Sequence, residues 1–102
     1  MTGSIAFLLS LTFYTTLYGN TFTKPQDATG MALYKQNCVR CHGTNGRKGF
    51  LGAKDLSKSI LADPEIIQKI RDGRGFMPSF KKKLSVGEIE AIVVFVKGLR
   101  PN

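Results

Sequence analysis

Cys38, Cys41 and His42 stand together as Cys38-Val39-Arg40-Cys41-His42, and they are the only two cysteines and the only histidine of the chain. Two thiols two residues apart, with an imidazole directly after the second, suit few chemistries. A structural zinc ion takes four ligands, more than this cluster offers. A thioredoxin-type redox pair belongs in a strand–helix–strand setting, and no strand pattern is present. A plain disulfide would be an odd use of the only pair. The remaining chemistry is addition of both thiols across the two vinyl groups on one edge of a porphyrin. Two intervening residues give a tight turn that sets the sulfurs at that separation, and the next residue projects its imidazole under the iron. The five positions therefore read as a c-type haem attachment, with Cys38 and Cys41 as covalent anchors and His42 as an axial ligand through Nε2. Its Nδ1–H is expected to donate to a backbone carbonyl in the segment 43–53, because metal-bound imidazoles take such outer partners.

A second axial ligand is sought among the methionines, of which there are three. Met1 opens an apolar leader. Met31 lies on the segment that feeds Cys38 and is expected in the core. Met77 stands in Gly73-Arg74-Gly75-Phe76-Met77-Pro78, where the glycines and proline describe a shaped loop rather than a packed helix. Met77 is the expected distal ligand; a soft thioether favours ferrous iron and raises the potential.

Three helices are expected to position these groups. The first runs from Asp27 to Asn37, capped by Asp27 or Thr29, with Met31, Leu33 and Tyr34 at roughly helical spacing. It leads into Cys38. A glycine-rich loop, 43–52, follows, with Phe50 and Leu51 as apolar anchors. A second helix starts at Asp63-Pro64-Glu65, with Asp63 as cap and Pro64 at the first helical position, and carries Ile66, Ile67 and Ile70. Gly73 and Gly75 end it. The third runs from Ser85 to Gly98. Ser85 and Glu88 form a capping box, and Ile89, Ile92, Val93 and Val96 share a face beside Phe95. The fold class is all-α: helices and loops around one covalent haem. Leu33, Leu56, Ile66, Ile70, Phe76, Phe80, Ile92 and Val93 are the expected pocket and adjacent core.

The chain of 102 residues carries a net charge of +8, with no charged residue before Asn20. Residues 5–18 form an uncharged, mostly apolar run, short of the roughly 20 residues that span a bilayer. Residues 1–19 therefore read as a secretory signal or an uncleaved membrane anchor, 20–27 as a linker and 28–102 as the domain. A domain of that size buries too little surface to be secure alone, and a large apolar cofactor would complete its core. Its basic charge suits acidic redox proteins with Lys81-Lys82-Lys83 as a docking patch. Nucleic acid is a poor fit, because the cations are scattered and the aromatics are committed to the core.

These motifs resemble the class I monohaem cytochromes c, particularly the small bacterial and cytochrome c6 type, from about Ala28 to Leu99. The segments that carry the resemblance are Gly30-Met31-Ala32-Leu33-Tyr34, the Cys38–His42 motif, Gly52-Ala53-Lys54-Asp55-Leu56 and Gly73-Arg74-Gly75-Phe76-Met77-Pro78-Ser79-Phe80. The resemblance implies that Gly30 and Tyr34 meet the last helix near Phe95, that Leu56 touches the haem edge, and that Met77 ligates. The chain departs from the mitochondrial type in having no proline soon after His42, and it has no tryptophan. The implied function is a monomeric single-electron carrier, not an enzyme, in the periplasm or a thylakoid lumen. The alternatives are a cytochrome subunit of a larger oxidoreductase, and a haem enzyme or sensor with an open iron site.

Overall fold

The computed structural model describes residue 3 and residues 26–101, excepting the side chains of 26–28. The leader expected at 1–19 lies outside the described residues. The order of helices is α1 (Gln26–Asn37), α2 (Val39–His42), α3 (Asp63–Asp72) and α4 (Val86–Gly98), with single 3₁₀ turns at Phe50–Gly52 and Leu56–Lys58. Among the described residues there is no strand, only an isolated antiparallel bridge between Arg74 and Met77. The all-α class holds.

α1 packs chiefly on α4. It is not amphipathic by composition, and the contact is made by backbone approach. A Cβ on Gly30 would stand 2.8 Å from the carbonyl carbon of Ala91 and 3.1 Å from the Cβ of Phe95, so only a residue without a side chain fits. One turn on, Tyr34 is 1% exposed and its ring lies 4.9 Å from that of Phe95, tilted by 46°. α1 begins at Gln26, so it takes in the last two residues of the 20–27 stretch. Asp27 and Thr29 lie inside the helix rather than at its cap, and Met31 is 41% exposed rather than in the core.

α4 begins as the sequence predicts. The Ser85 hydroxyl accepts from the Glu88 N–H at 3.1 Å, while the Glu88 carboxylate accepts from the Ser85 N–H at 2.9 Å. Two orphan donors of the first turn are thus satisfied locally. Ile89, Ile92, Val93 and Val96 are buried along one side, and with Tyr34, Ile66, Ile70, Phe80 and Leu84 they form the core. Each such side chain contributes about 1.5–3 kcal/mol of transfer free energy on burial.

α3 starts differently from the expectation. Ala62 is the cap residue, Asp63 the first helical residue and Pro64 the second. An alanine has no side-chain acceptor, so only half of a capping box exists: the Glu65 carboxylate accepts from the Ala62 N–H at 2.9 Å. Asp63 is instead paired with Lys97 of α4 at 2.8 Å, a surface pair worth little on its own.

Candidate cofactor site

The helix of Val39–His42 is a single turn, and backbone hydrogen bonds fix it at both ends. The Cys38 N–H donates to the Tyr34 carbonyl at 2.8 Å, which joins the turn to α1, and the His42 N–H donates to the Cys38 carbonyl at 2.9 Å. Cys38 and Cys41 are both half-buried thiols. Burial, and then the neighbouring Cys41 sulfur, push the Cys38 thiol up to about 11.

Beyond His42 the chain doubles back. The Lys48 N–H donates to the His42 carbonyl at 2.9 Å, and His42 Nδ1 lies 3.1 Å from the carbonyl oxygen of Lys54. A carbonyl only accepts, so this contact assigns the proton to Nδ1 and leaves the lone pair on Nε2. The partner lies one residue beyond the 43–53 segment expected to supply it.

The next segment is tied by a polar knot that sequence reasoning missed. The Asp55 carboxylate accepts from the Ser57 N–H at 2.9 Å and the Ser57 hydroxyl at 2.5 Å, and Arg47 Nε donates to Ser57 Oγ at 3.1 Å. The Ser57 hydroxyl bond is the main cause that holds the Asp55 carboxyl below its usual range, with smaller help from the Ser57 N–H, Lys58 and Arg47 against the opposing cost of desolvation. Asp-x-Ser is a turn signal visible in the sequence; the part of Arg47 is not. The side chain of Arg100, missed as well, donates to the Leu61 carbonyl at 2.8 Å. Its partner is 39 residues distant, and no local pattern could reveal it.

Met77 is held from the other end of the chain. The N–H of Arg74 donates to the Met77 carbonyl and the N–H of Met77 to the Arg74 carbonyl, both at 3.0 Å. The Ser79 hydroxyl donates to the carbonyl of Arg71 at the end of α3, and the Phe80 N–H to the Ile70 carbonyl at 3.0 Å. The loop is thus closed on itself before Met77-Pro78 and clamped to α3 after it.

Cys38, Cys41, His42 and Met77 all line one cavity of about 950 Å³, at the upper end of the range for small-molecule and cofactor sites, about 300–1,000 Å³. Of the eight expected pocket residues, Leu56, Ile66, Ile70, Phe76, Phe80 and Ile92 also line it. Leu33 and Val93 belong to the core behind. Phe50 and Leu51 line the cavity too, but they are 47% and 53% exposed and do not anchor their loop in the protein core. Leu51 has a φ of 53°, a left-handed conformation that costs a non-glycine residue roughly 1–2 kcal/mol. The lining is mostly apolar; Cys38, Cys41, His42 and Met77 bring sulfur and imidazole nitrogen donors to it, and Lys54, Asp55, Lys58, Lys69 and Arg74 add charged groups. These residues fit a large flat apolar cofactor with a transition metal at its centre.

A helical domain closed around a cavity that receives a Cys-x-x-Cys-His turn and a methionine defines a haem-protein class. Comparison with known proteins makes the class specific. Residues 25–96 match the family described as cytochrome C oxidase, cbb3-type, subunit III. The chain is 32% identical over 75 residues to a cytochrome c6 of Leptolyngbya boryana, covering 68% of this chain and 87% of that one. It is 36% identical over 81 residues to the cbb3-type cytochrome c oxidase subunit FixP of Azorhizobium caulinodans, covering 74% of this chain but only 28% of that protein. The solved structure of KustC0563 c-type cytochrome superposes with a TM-score of 0.66 at 34% identity, over 71% of this chain and 98% of that one. The chain belongs to the class I monohaem c-type cytochromes. It is an electron-carrier cytochrome of a family whose cofactor is covalently bound haem c.

Proposed function

We propose that the chain holds a single haem through thioether bonds to Cys38 and Cys41, ligates its iron with His42 Nε2 and the Met77 sulfur, and relays single electrons between protein partners. The observation that carries this reading is the convergence of these four side chains on one cavity of about 950 Å³. A haem bound there supplies a one-electron ferric/ferrous couple. The protein does the rest. His42 is oriented by Lys54, Met77 by the Arg74 bridge and the Ser79 clamp, and neither ligand needs to move when the charge on the metal changes. Ile66, Ile70, Phe80 and Ile92 wall the cavity and keep water from the metal. With both axial positions taken by side chains, oxygen and peroxide have no easy coordination site, which separates a carrier from an enzyme or sensor.

The partners are redox proteins with acidic docking surfaces. Lys81, Lys82 and Lys83 are exposed, and Lys54, Lys58, Lys69 and Arg74 stand around the cavity against the single carboxylate of Asp55. Complementary charge steers such encounters. The compartment is an exported one, periplasm or lumen, with residues 1–19 as signal or tether and the domain beyond them. Among the described residues no helix is long and apolar enough to cross a membrane.

The deciding experiment is a pyridine haemochrome spectrum with the intact mass of protein matured in a host competent for haem attachment. One covalent haem per chain is expected, and the ferric protein should show the weak red absorption band of methionine ligation. A high-spin ferric spectrum with ready carbon monoxide binding would favour the open-site reading. The similarity to FixP supports a second reading, a cytochrome subunit of a larger oxidase. Stable co-purification with a membrane oxidase at high salt would favour it over a diffusing carrier.

A further inference from the structure

Tyr34 is a buried side chain that joins the α1–α4 crossing to the attachment turn. Its ring rests on Phe95 at 4.9 Å, and its hydroxyl donates to the carbonyl oxygen of Gly43 at 2.5 Å. Gly43 directly follows His42 and has φ 80° and ψ 169°, a region open essentially to glycine alone. This bend sends the chain back, so that the Lys48 N–H reaches the His42 carbonyl and the Lys54 carbonyl reaches His42 Nδ1. A glycine has several other conformations available, and an external hold is what selects one. The Gly43 carbonyl takes two donors, the Tyr34 hydroxyl and the N–H of Gly46 at 3.2 Å. Only the first comes from outside the loop.

From this geometry we infer that Tyr34 is a positioning residue for the His42 imidazole: its hydroxyl pins the Gly43 carbonyl, and through that bend fixes the His42–Lys54 hydrogen bond. The inference rests on His42 being the axial ligand, as proposed above. A hydrogen bond at Nδ1 sets the ring's orientation and raises its basicity at the other nitrogen, and a more basic ligand favours ferric iron. Tyr34 thus tunes the couple through the orientation of the His42 ring.

The test compares the matured holoprotein with Tyr34→Phe, which keeps the ring and its contact with Phe95. The midpoint potential is read together with the hyperfine-shifted proton resonances of the His42 ring and the Met77 methyl in the ferric state. The variant is expected to show a raised potential and displaced or broadened His42 resonances, with the Met77 methyl unmoved. Phe95→Leu serves as the comparison: it disturbs the same helix crossing and lowers stability but is expected to leave potential and His42 signals in place. Fluorotyrosine at position 34, a stronger donor in an otherwise native chain, should move the potential the opposite way. Wild-type potential and His42 signals in Tyr34→Phe, or a fluorotyrosine protein with an unmoved potential, would overturn the inference. A wild-type protein with no shifted histidine ring would overturn the ligand reading itself, an outcome distinct from the other two.

Discussion

Gly73 closes over the backbone of Met77: a Cβ built on Gly73 would stand 2.5 Å from the Met77 carbonyl oxygen and 2.6 Å from the carbonyl carbon of Pro78. The residue that ends α3 is thereby in contact with the residue proposed to grip the iron. Gly73 also has a φ of 67°, so a side chain there is opposed by both the backbone conformation and the neighbouring chain.

Gly73→Ala is therefore expected to displace the Met77 loop. The conformational cost alone is about 1–3 kcal/mol, because φ 67° with ψ 176° is a region open essentially to glycine alone, and the clash with backbone adds to it because backbone cannot rotate away. The ferric protein should lose the red methionine band and gain affinity for carbon monoxide in the ferrous state, while the haem stays attached through Cys38 and Cys41. An unaltered band would mean that the loop yields without moving the sulfur, and the clamp described above would then have no bearing on ligation.

Ser85→Ala tests the start of α4. It removes the acceptor for the Glu88 N–H and leaves the Glu88 carboxylate holding the Ser85 N–H. A loss of about 1 kcal/mol is expected, measured by denaturant unfolding of the holoprotein, with the potential unchanged because the cap does not line the cavity. A potential that moved with this variant would show that α4 transmits strain to the haem pocket.

What the sequence could and could not disclose follows from the range of the forces involved. The capping box of Ser85 and Glu88 and the Cys38–His42 turn are local, and short-range residue chemistry dictates both. The start of α3 is local as well, yet the helix begins one residue early, with Ala62 as the cap and Asp63 inside the first turn, where its carboxylate meets Lys97, remote in the chain. Met31 sits at a helical spacing that suits a core, but α1 meets α4 through Gly30 and Tyr34, and that leaves Met31 on the outer side. Phe50 and Leu51 are apolar, so an anchoring role was the natural expectation. They instead line a cavity whose proposed occupant is not a polypeptide, and no pattern of side chains alone could have placed them there. Tyr34 was legible as a helix-packing residue; its hydroxyl bond to Gly43 was not, because it depends on where the chain bends after His42.

Stability should fall at alkaline pH through Tyr34. Burial, with a smaller contribution from the Cys38 sulfur, raises its phenol from 10.0 to about 12. The thioether proposed at Cys38 would remove that charge and leave burial as the cause. A phenol that holds its proton more tightly in the folded state contributes stability that is complete below the unfolded value and is lost as pH rises through the folded one. Unfolding free energy should thus be steady near neutrality with respect to this group and decline between pH 10 and about 12. Tyr34→Phe should flatten that decline. An equal slope in the variant would assign the alkaline loss to other groups.

Charge at the cavity mouth should govern the approach of redox partners. Lys54, Lys58, Lys69 and Arg74 line the same cavity as His42 and Met77. Asp55, the acid among them, is already committed to Ser57 and lies beside Lys58 and Arg47. Within the Lys81-Lys82-Lys83 run, Lys83 is drawn over the Phe80 ring at 5.7 Å, and none of the three lines the cavity. The field felt by a partner nearing the cavity mouth is thus expected to depend more on Lys58 and Arg74, which line it, than on the lysine run, which does not. Reversing Lys58 and Arg74 to glutamate should slow reduction of the ferric protein by an anionic iron complex about tenfold or more at low ionic strength. The same pair should speed reaction with a cationic cobalt complex, and both effects should fade over the Debye length as salt is added. Reversing Lys81 and Lys82 should change either rate less. Stopped-flow rates with the two complexes decide the matter: a larger effect from Lys81 and Lys82 would return the docking surface to the lysine run, and equal rates for all variants would remove electrostatic steering from the account of how this cytochrome meets its partners.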